Sequence, residues 1–369
     1  MTRRYGLKDA VFHLFINNAV SIIFLIFIAV AIPISGFSAT FLTQQLVMRI
    51  SRDSFLVLSL LLPIMAGMGI NFGMVLGAMS GQIAIILVLN WGVPGVGGVF
   101  LAMAVATPMA VLLGWFSGII LNKAKGREMV TSMMLGFFIS GIYQLIVLYF
   151  MGDLIPISNP VLVLSRGYGI RNALSLLTMR MSLDNLIPLK IAGISIPVAT
   201  YVIIGLLCLF IWWFGKTKLG HDMRAVGQNM AVSEDSGIKV ERTRILAIIL
   251  STVLACYGQI IYLQNIGTLN TYNGADQTAT FAAAALLIGG ASVVRASIPN
   301  VFIGVVLFHL MFLVSPMAGK NLMGSAMIGE YFRVFVSYGV IPLALALYAW
   351  KRLKERERAR RSLRGAKES

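Results

Sequence analysis

Long apolar runs separated by short polar intervals occupy the chain almost from end to end. Windows at 11–33, 55–70, 73–91, 97–121, 129–151, 196–214, 243–263, 278–294, 299–316 and 328–350 are apolar over most of their length. A helix needs roughly 20 such residues to cross a bilayer core. The pattern predicts an all-α integral membrane protein of about ten transmembrane helices. The second window is short, and Gly67-Met68-Gly69-Ile70-Asn71-Phe72-Gly73 separates it from the third. That break predicts a broken helix, because backbone freed from helical bonding at membrane depth is tolerated only where it is buried in protein or lines a cavity. Asn71 is therefore a candidate lining residue of a polar pathway, with close helix packing through small residues as the alternative.

Composition supports that class and removes others. The chain is 58% hydrophobic and 12% charged, with a mean hydropathy of +0.86, well outside the balance of a water-soluble domain. A net charge of +16 raises the question of nucleic acid, but the basic residues sit at the ends of apolar runs and in the tail 351–367. Membrane topology explains that placement. With the N-terminus cytoplasmic, ten spans return the C-terminus to the cytoplasm, and about three quarters of the Lys and Arg residues then lie inside, as the positive-inside rule asks. Arg3, Arg4 and Lys8 precede a first run too long for a cleaved signal, which predicts an uncleaved first span. Cys208 and Cys256 lie inside apolar runs without CxxC spacing or nearby His, so they read as small hydrophobes and predict neither disulfide nor metal site.

Polar residues inside the windows are His13, Asn17, Asn18, Gln82, Gln144, Gln259 and His309. Neutral donors without a chain of buried acids suit a polar uncharged solute better than a proton relay, and Gln82, Gln144 and Gln259 join Asn71 as pathway candidates. Each alone is equally compatible with helix-to-helix bonding. Glu330 is the nearest thing to an intramembrane acid, and Glu128 reads as an interfacial acid among Lys123, Lys125 and Arg127. The external interval 152–195 mixes charges with Leu174, Leu176, Leu177 and Met179, which predicts a short amphipathic helix at the outer surface, either docking a partner or covering the bundle.

The cytoplasmic interval 215–242 carries Thr217, Gly220, Arg224-Ala225-Val226-Gly227-Gln228-Asn229 and Ser236-Gly237-Ile238-Lys239-Val240. In this order and spacing it resembles the T-x-x-G-x-x-x-R-A-x-G-x-N and S-G-I-x-V loop of permease subunits of binding-protein-dependent ABC importers. Val232-Ser233 stand where that family usually has an Ala pair. A second stretch, Ala282 to Ser292, is similar to the family's I-A-A-x-x-I-G-G-x-S, while Val293-Val294-Arg295-Ala296 replaces the glycine-rich turn usual in its sugar branch. Gly69-Ile70-Asn71-Phe72 is similar to the sugar branch, and Gly126 to Leu135 to the nucleoside branch. Val75 and Gly77 depart from the nucleoside signature.

The resemblance implies a type II importer permease. Its single transmembrane permease domain would cover 1–350, with a coupling loop at 215–242, an external segment at 152–195 and a basic cytoplasmic tail at 351–369. It implies residence in the bacterial cytoplasmic membrane and partnership with ATP-binding cassette subunits, an extracytoplasmic binding protein, a second permease subunit and membrane lipid. Nucleic acid is not among the implied partners. Arg224, Ala225, Gly227, Asn229, Ser236 and Gly237 are the expected ATPase-coupling residues. A short helix there would act as a lever, with Gly227 and Gly237 allowing turns at its two ends. The chain itself is expected to be non-catalytic. Gly215-Lys216-Thr217 lacks the earlier glycine of a phosphate loop, Phe210 standing in its place, and follows a membrane run. ATP and Mg would then be held by the partner subunit. The implied solute is a monosaccharide or nucleoside. A branched-chain amino acid permease and an ion-coupled secondary transporter remain alternatives.

Overall fold

The computed structural model describes residues 19–191, 193–325, 327–335, 338–339, 342 and 346. The expectations for His13, Asn17, Asn18, both termini, the tail 351–369 and most of the last apolar window lie outside these residues. Twelve helices are labelled among the described residues. They are α1 (Ala19–Ser35), α2 (Ala39–Ser59), α3 (Leu61–Met65), α4 (Met74–Trp91), α5 (Gly95–Lys123), α6 (Glu128–Leu145), α7 (Val198–Phe214), α8 (Lys218–Gln228), α9 (Met230–Asp235), α10 (Val240–Ile266), α11 (Thr278–Ile288) and α12 (Ile298–Met323). A π-helical turn, Ile146–Phe150, extends α6. Among the described residues five helices are long and apolar enough to cross a membrane, or six if α7 and α8, bent by 73°, are counted as one span.

The bundle is organised around α10. Gly77 and Gly81 on α4 and Gly114 and Gly118 on α5 lie against its backbone at Thr252, Cys256, Ile249 and Ile245, so that a Cβ at any of them would press on α10. Small residues four apart let helices approach closely where lipid supplies no hydrophobic drive for association. The outer faces are apolar and exposed. Leu112 and Trp115 on α5, Met134, Phe137 and Phe138 on α6, and Leu206, Leu209 and Trp213 on α7 all point away from the core, as lipid contact requires.

The largest departure from the expected spans is α2. The sequence predicts a span only from residue 55, but the helix starts sixteen residues earlier, at Ala39, and carries Arg49, Arg52 and Asp53 into the bundle. Hydropathy discards this half because it averages its charges with its apolar residues. The charges instead turn inward, toward a polar cavity. The eighth expected span is also shorter than its window, since α11 ends at Ile288.

The segment 152–195 is not an amphipathic helix. It holds β1 (Ala173–Ser175), which pairs antiparallel with β4 (Thr268–Asn270), and the hairpin β2 (Pro188–Ile191) to β3 (Ile194–Pro197). Two side chains anchor it. The Gln44 side chain on α2 accepts from the Ser195 amide at 2.7 Å and donates to its carbonyl at 3.3 Å. Buried Asp184 accepts from the Thr200 hydroxyl at 2.6 Å, and from the Gln264 and Asn265 amides at 3.1 and 2.7 Å. Backbone spent on these bonds is not available to a helix. Cys256 is fully buried and Cys208 half-buried.

Candidate functional site

Between α2, α10, α11 and α12 lies a cavity of about 580 Å³, within the range of small-molecule sites. Arg49, Arg52 and Asp53 reach it from one face of α2, Gln259 and Tyr262 from α10, and His309 from α12. Asp53 is the centre of the charge arrangement. Its Oδ2 accepts from Arg52 Nε at 3.0 Å and Nη2 at 2.9 Å, and it lies 2.8 Å from His309 Nε2. Arg52 also lies over the Tyr262 ring, 5.1 Å from its centroid. The opposite wall is aromatic. Phe308 and Phe312 are tilted with centroids 4.4 Å apart, and Phe281 meets Phe312 edge-on at 5.5 Å. At the end nearer the strands, Asn270, Asn273 and Gln277 add amides. Planar polar groups facing aromatic rings can bind a polyhydroxylated ring, hydrogen-bonding its edge and stacking on its apolar face.

Of the sequence-predicted pathway residues, Gln259 lines this cavity and Asn71, Gln82 and Gln144 do not. The glutamines share a different task. Gln82 Oε1 accepts from the Tyr143 hydroxyl, which also donates to Thr271 O at 2.8 Å. Gln144 donates to Tyr272 O at 3.3 Å, and Gln259 to Gly274 O at 3.4 Å while accepting from Thr278. Together with Ser140, which donates to Asp276 at 2.8 Å, they tie down the cavity-lining segment between β4 and α11. Asn71 is buried, and its Oδ1 accepts from Gly73 N at 3.0 Å, a local turn that leads into α4. Sequence reasoning missed Arg49, Arg52 and Asp53. A cue existed in their spacing, since Arg49, Arg52 and Asp53 stand at i, i+3 and i+4 on one helical face.

At the other end of the bundle, Thr217 N-caps α8, accepting from Gly220 N at 3.3 Å, and Asn229 N-caps α9, accepting from Ala231 and Val232 at 3.1 and 3.3 Å. Arg224 donates to Gly215 O, closing the end of α7. Gly237 turns the chain in the left-handed conformation at φ 81°, and Ser236 precedes it at the end of α9. Gly227 is not a turn residue. It lies within α8, where a Cβ would strike the backbone of Met65 and come within 3.0 Å of Gly67 N. Gly67, at the start of the glycine-rich break, is thus a seat for α8, Gly69 lies against Met129 and Val293, and no residue of 67–73 lines the cavity. Met223 and Val226 are buried beneath the helix, while Ala225 is half-buried and Leu219 and Val232 face outward.

Glu128 is not an interfacial acid among lysines. It is buried and forms an ion pair with fully buried Arg244 of α10, whose Nη1 is 3.4 Å from the sulfur of Met230 on α9. This pair links the start of α6 to the α8–α9 element.

A family model described as the branched-chain amino acid transport system / permease component matches residues 43–345. The chain is 33% identical over 112 residues to the autoinducer 2 import system permease protein LsrC of Enterobacter sp. strain 638, covering 29% of this chain and 32% of that one. It is 32% identical over 120 residues to the probable ABC transporter permease protein YphD of Escherichia coli K12, covering 32% and 36%. It is 32% identical over 100 residues to the xylose transport system permease protein XylH of Haemophilus influenzae, covering 27% and 26%. These alignments span about a third of the length of the relatives they match. No solved structure matches the chain. The family match runs through α2, the interval 215–242, α10 and α12, so this membrane chain belongs to the branched-chain amino acid transport system / permease component family.

Proposed function

We propose that the chain is the translocation subunit of an ATP-driven importer in a bacterial cytoplasmic membrane, moving a monosaccharide-type solute delivered by an extracytoplasmic binding protein. The cavity between α2 and α12 carries this reading, because its amides, guanidinium groups and aromatic wall suit a hydroxyl-rich ring. The names of the xylose and autoinducer 2 relatives agree with it. In this scheme ten apolar segments cross the membrane, both termini are cytoplasmic and the strands face outward. The end carrying α8 and α9 meets an ATPase subunit that holds ATP and Mg. Arg224, Ala225, Asn229, Ser236 and Gly237 shape that docking element, and Gly227 seats it on Gly67. Rotation of α8 is passed to α3 and α4 at that contact, and to α6 through Arg244 and Glu128. A second permease subunit, the same chain or a homologue, completes the assembly. Gln259 would meet the solute directly, while Gln82, Gln144 and Asn71 shape the pathway through the segments they hold.

One observation favours a second reading, a branched-chain amino acid. The cavity joins charged groups to an apolar wall that includes Leu56 and Val57. Reconstitution of the chain with its ATPase and binding protein in proteoliposomes separates these readings. ATP-dependent uptake of labelled xylose or ribose, competed by other monosaccharides and not by leucine, is the expected result. Competition by leucine alone would transfer the assignment to amino acids. Uptake driven by an ion gradient without the ATPase would end the importer reading.

A further inference from the structure

We propose that the solute is a sugar acid, and that Arg49 receives its carboxylate. The proposal rests on the monosaccharide reading and narrows it.

Among the described residues the cavity holds one arginine that no carboxylate meets directly. Asp53 is committed to Arg52 and His309 through the same oxygen, and Glu330 is paired with Arg333. Arg49 lines the same cavity one helical turn from Arg52, yet it has no ion pair among the described residues, and its buried Nε has no hydrogen-bond partner. The sequence has no Asp or Glu between Glu330 and Glu355, so the rest of the last apolar window holds no acid that could approach it. Asp53, one turn along the same helix, attracts Arg49 but is bonded to Arg52 and His309 instead, and a guanidinium held within a membrane bundle without a direct ion pair is costly and marks a function. A carboxylate fits it best, since the guanidinium fork matches its two oxygens.

The same accounting selects among anions. One unmatched guanidinium neutralises a monoanion, which disfavours a sugar phosphate carrying close to two charges. A zwitterionic amino acid brings an ammonium group along with its carboxylate and so leaves the positive excess around Arg49, Arg52 and Arg333 undiminished, whereas a monoanion removes it. Gln259, Asn270, Asn273 and Gln277 remain for hydroxyl groups.

Saturation-transfer NMR on the full chain in nanodiscs, which reads weak binding directly, tests this with galacturonate, galactose, galactose 1-phosphate and leucine as probes. The expected result is galacturonate bound about tenfold or more tighter than galactose, the scale of a charge-assisted hydrogen bond. That preference should vanish in Arg49→Gln, persist in part in Arg49→Lys, and move to galactosamine in Arg49→Glu. Equal binding of galactose and galacturonate by the wild-type chain would overturn the sugar-acid inference while leaving the monosaccharide reading intact. Tighter binding of the phosphate would overturn the carboxylate assignment. Binding of leucine alone, or of no sugar at all, would remove both.

Discussion

Arg244 and Arg49 are two arginines inside the same bundle, each with a buried Nε that has no hydrogen-bond partner, and they differ in whether a carboxylate meets the rest of the guanidinium. Arg244 is fully buried and matched by Glu128 and Met230, at the end of the molecule that carries α8 and α9. Arg49 is half-buried, faces the cavity and is matched by no carboxylate among the described residues. The difference separates a charge that holds helices together from one left available to a ligand. It also separates two kinds of construction. The α8 end is closed by glycine contacts, capping side chains and a buried ion pair, whereas the cavity keeps donors and aromatic side chains along its walls.

The sharpest way to break this comparison is to make Arg244 resemble Arg49. Glu128→Gln should cost about 3–5 kcal/mol, because it strands a buried charge, and a thermal melt of the detergent-solubilised chain followed by size exclusion should fall accordingly. The double substitution Glu128→Leu with Arg244→Met should recover much of that loss, since a buried ion pair replaced by apolar groups is often close to neutral. Arg49→Gln, by contrast, should leave the melt almost unchanged. If Glu128→Gln and Arg49→Gln shift the melt equally, the distinction between a structural and a ligand-directed arginine fails.

A second test moves to the glycine seat. Gly227→Leu places a side chain against the backbone of Met65 and Gly67, where no rotamer change relieves the clash. Overpacking of about 1–3 kcal/mol is expected. If α8 is the lever proposed above, ATP hydrolysis in the reconstituted assembly should continue while uptake falls about tenfold or more. Solute binding by the isolated chain should be retained, because the cavity takes Gln259 and Tyr262 from one end of α10, whereas Arg244, which meets the α8–α9 element, lies near the other. Full uptake in this variant would show that close contact between α8 and residues 65–67 does not transmit the motion.

The two regions were also unequally legible in the sequence. The α8 end depends on residues close together in the chain. Thr217 caps three residues before Gly220, Asn229 caps Ala231 and Val232, and Gly237 follows α9 directly, so order and spacing carry the information. What spacing could not convey is that Gly227 serves a contact with Gly67, 160 residues earlier in the chain. The cavity is assembled from α2, α10, α11 and α12, and no local pattern announces that assembly. Hydropathy even removed the decisive half of α2, reading Arg49, Arg52 and Asp53 as loop because inward-facing charges lower the window average as much as exposed ones do. Glu128 failed for a related reason: its partner Arg244 lies 116 residues away, while the lysines beside it in sequence suggested a solvated cluster. Gln259, which lines the cavity, stood out in the sequence because polar residues in apolar windows are few. The same rule drew in Gln82 and Gln144, whose bonds go to the backbone around Thr271 and Tyr272 instead.

The smallest expected effect concerns Asn229, and it sharpens the comparison by acting on one region alone. Its side chain satisfies two amides at the start of α9, and loss of such a cap costs about 1 kcal/mol. A helix as short as Met230–Asp235 has little else of its own to hold its first turn, so Asn229→Ala should fray α9 locally without lowering the global melt measurably. Hydrogen exchange at residues 230–236 should then rise severalfold, with exchange around Gln259 and His309 unchanged. Asn229→Asp should keep protection near the wild-type level, because a carboxylate accepts the same amides and interacts favourably with the helix N-terminus. Increased exchange that spreads to the cavity would mean the two ends are energetically continuous, and that the separation between a packed docking end and an open, charge-lined cavity is one of geometry only.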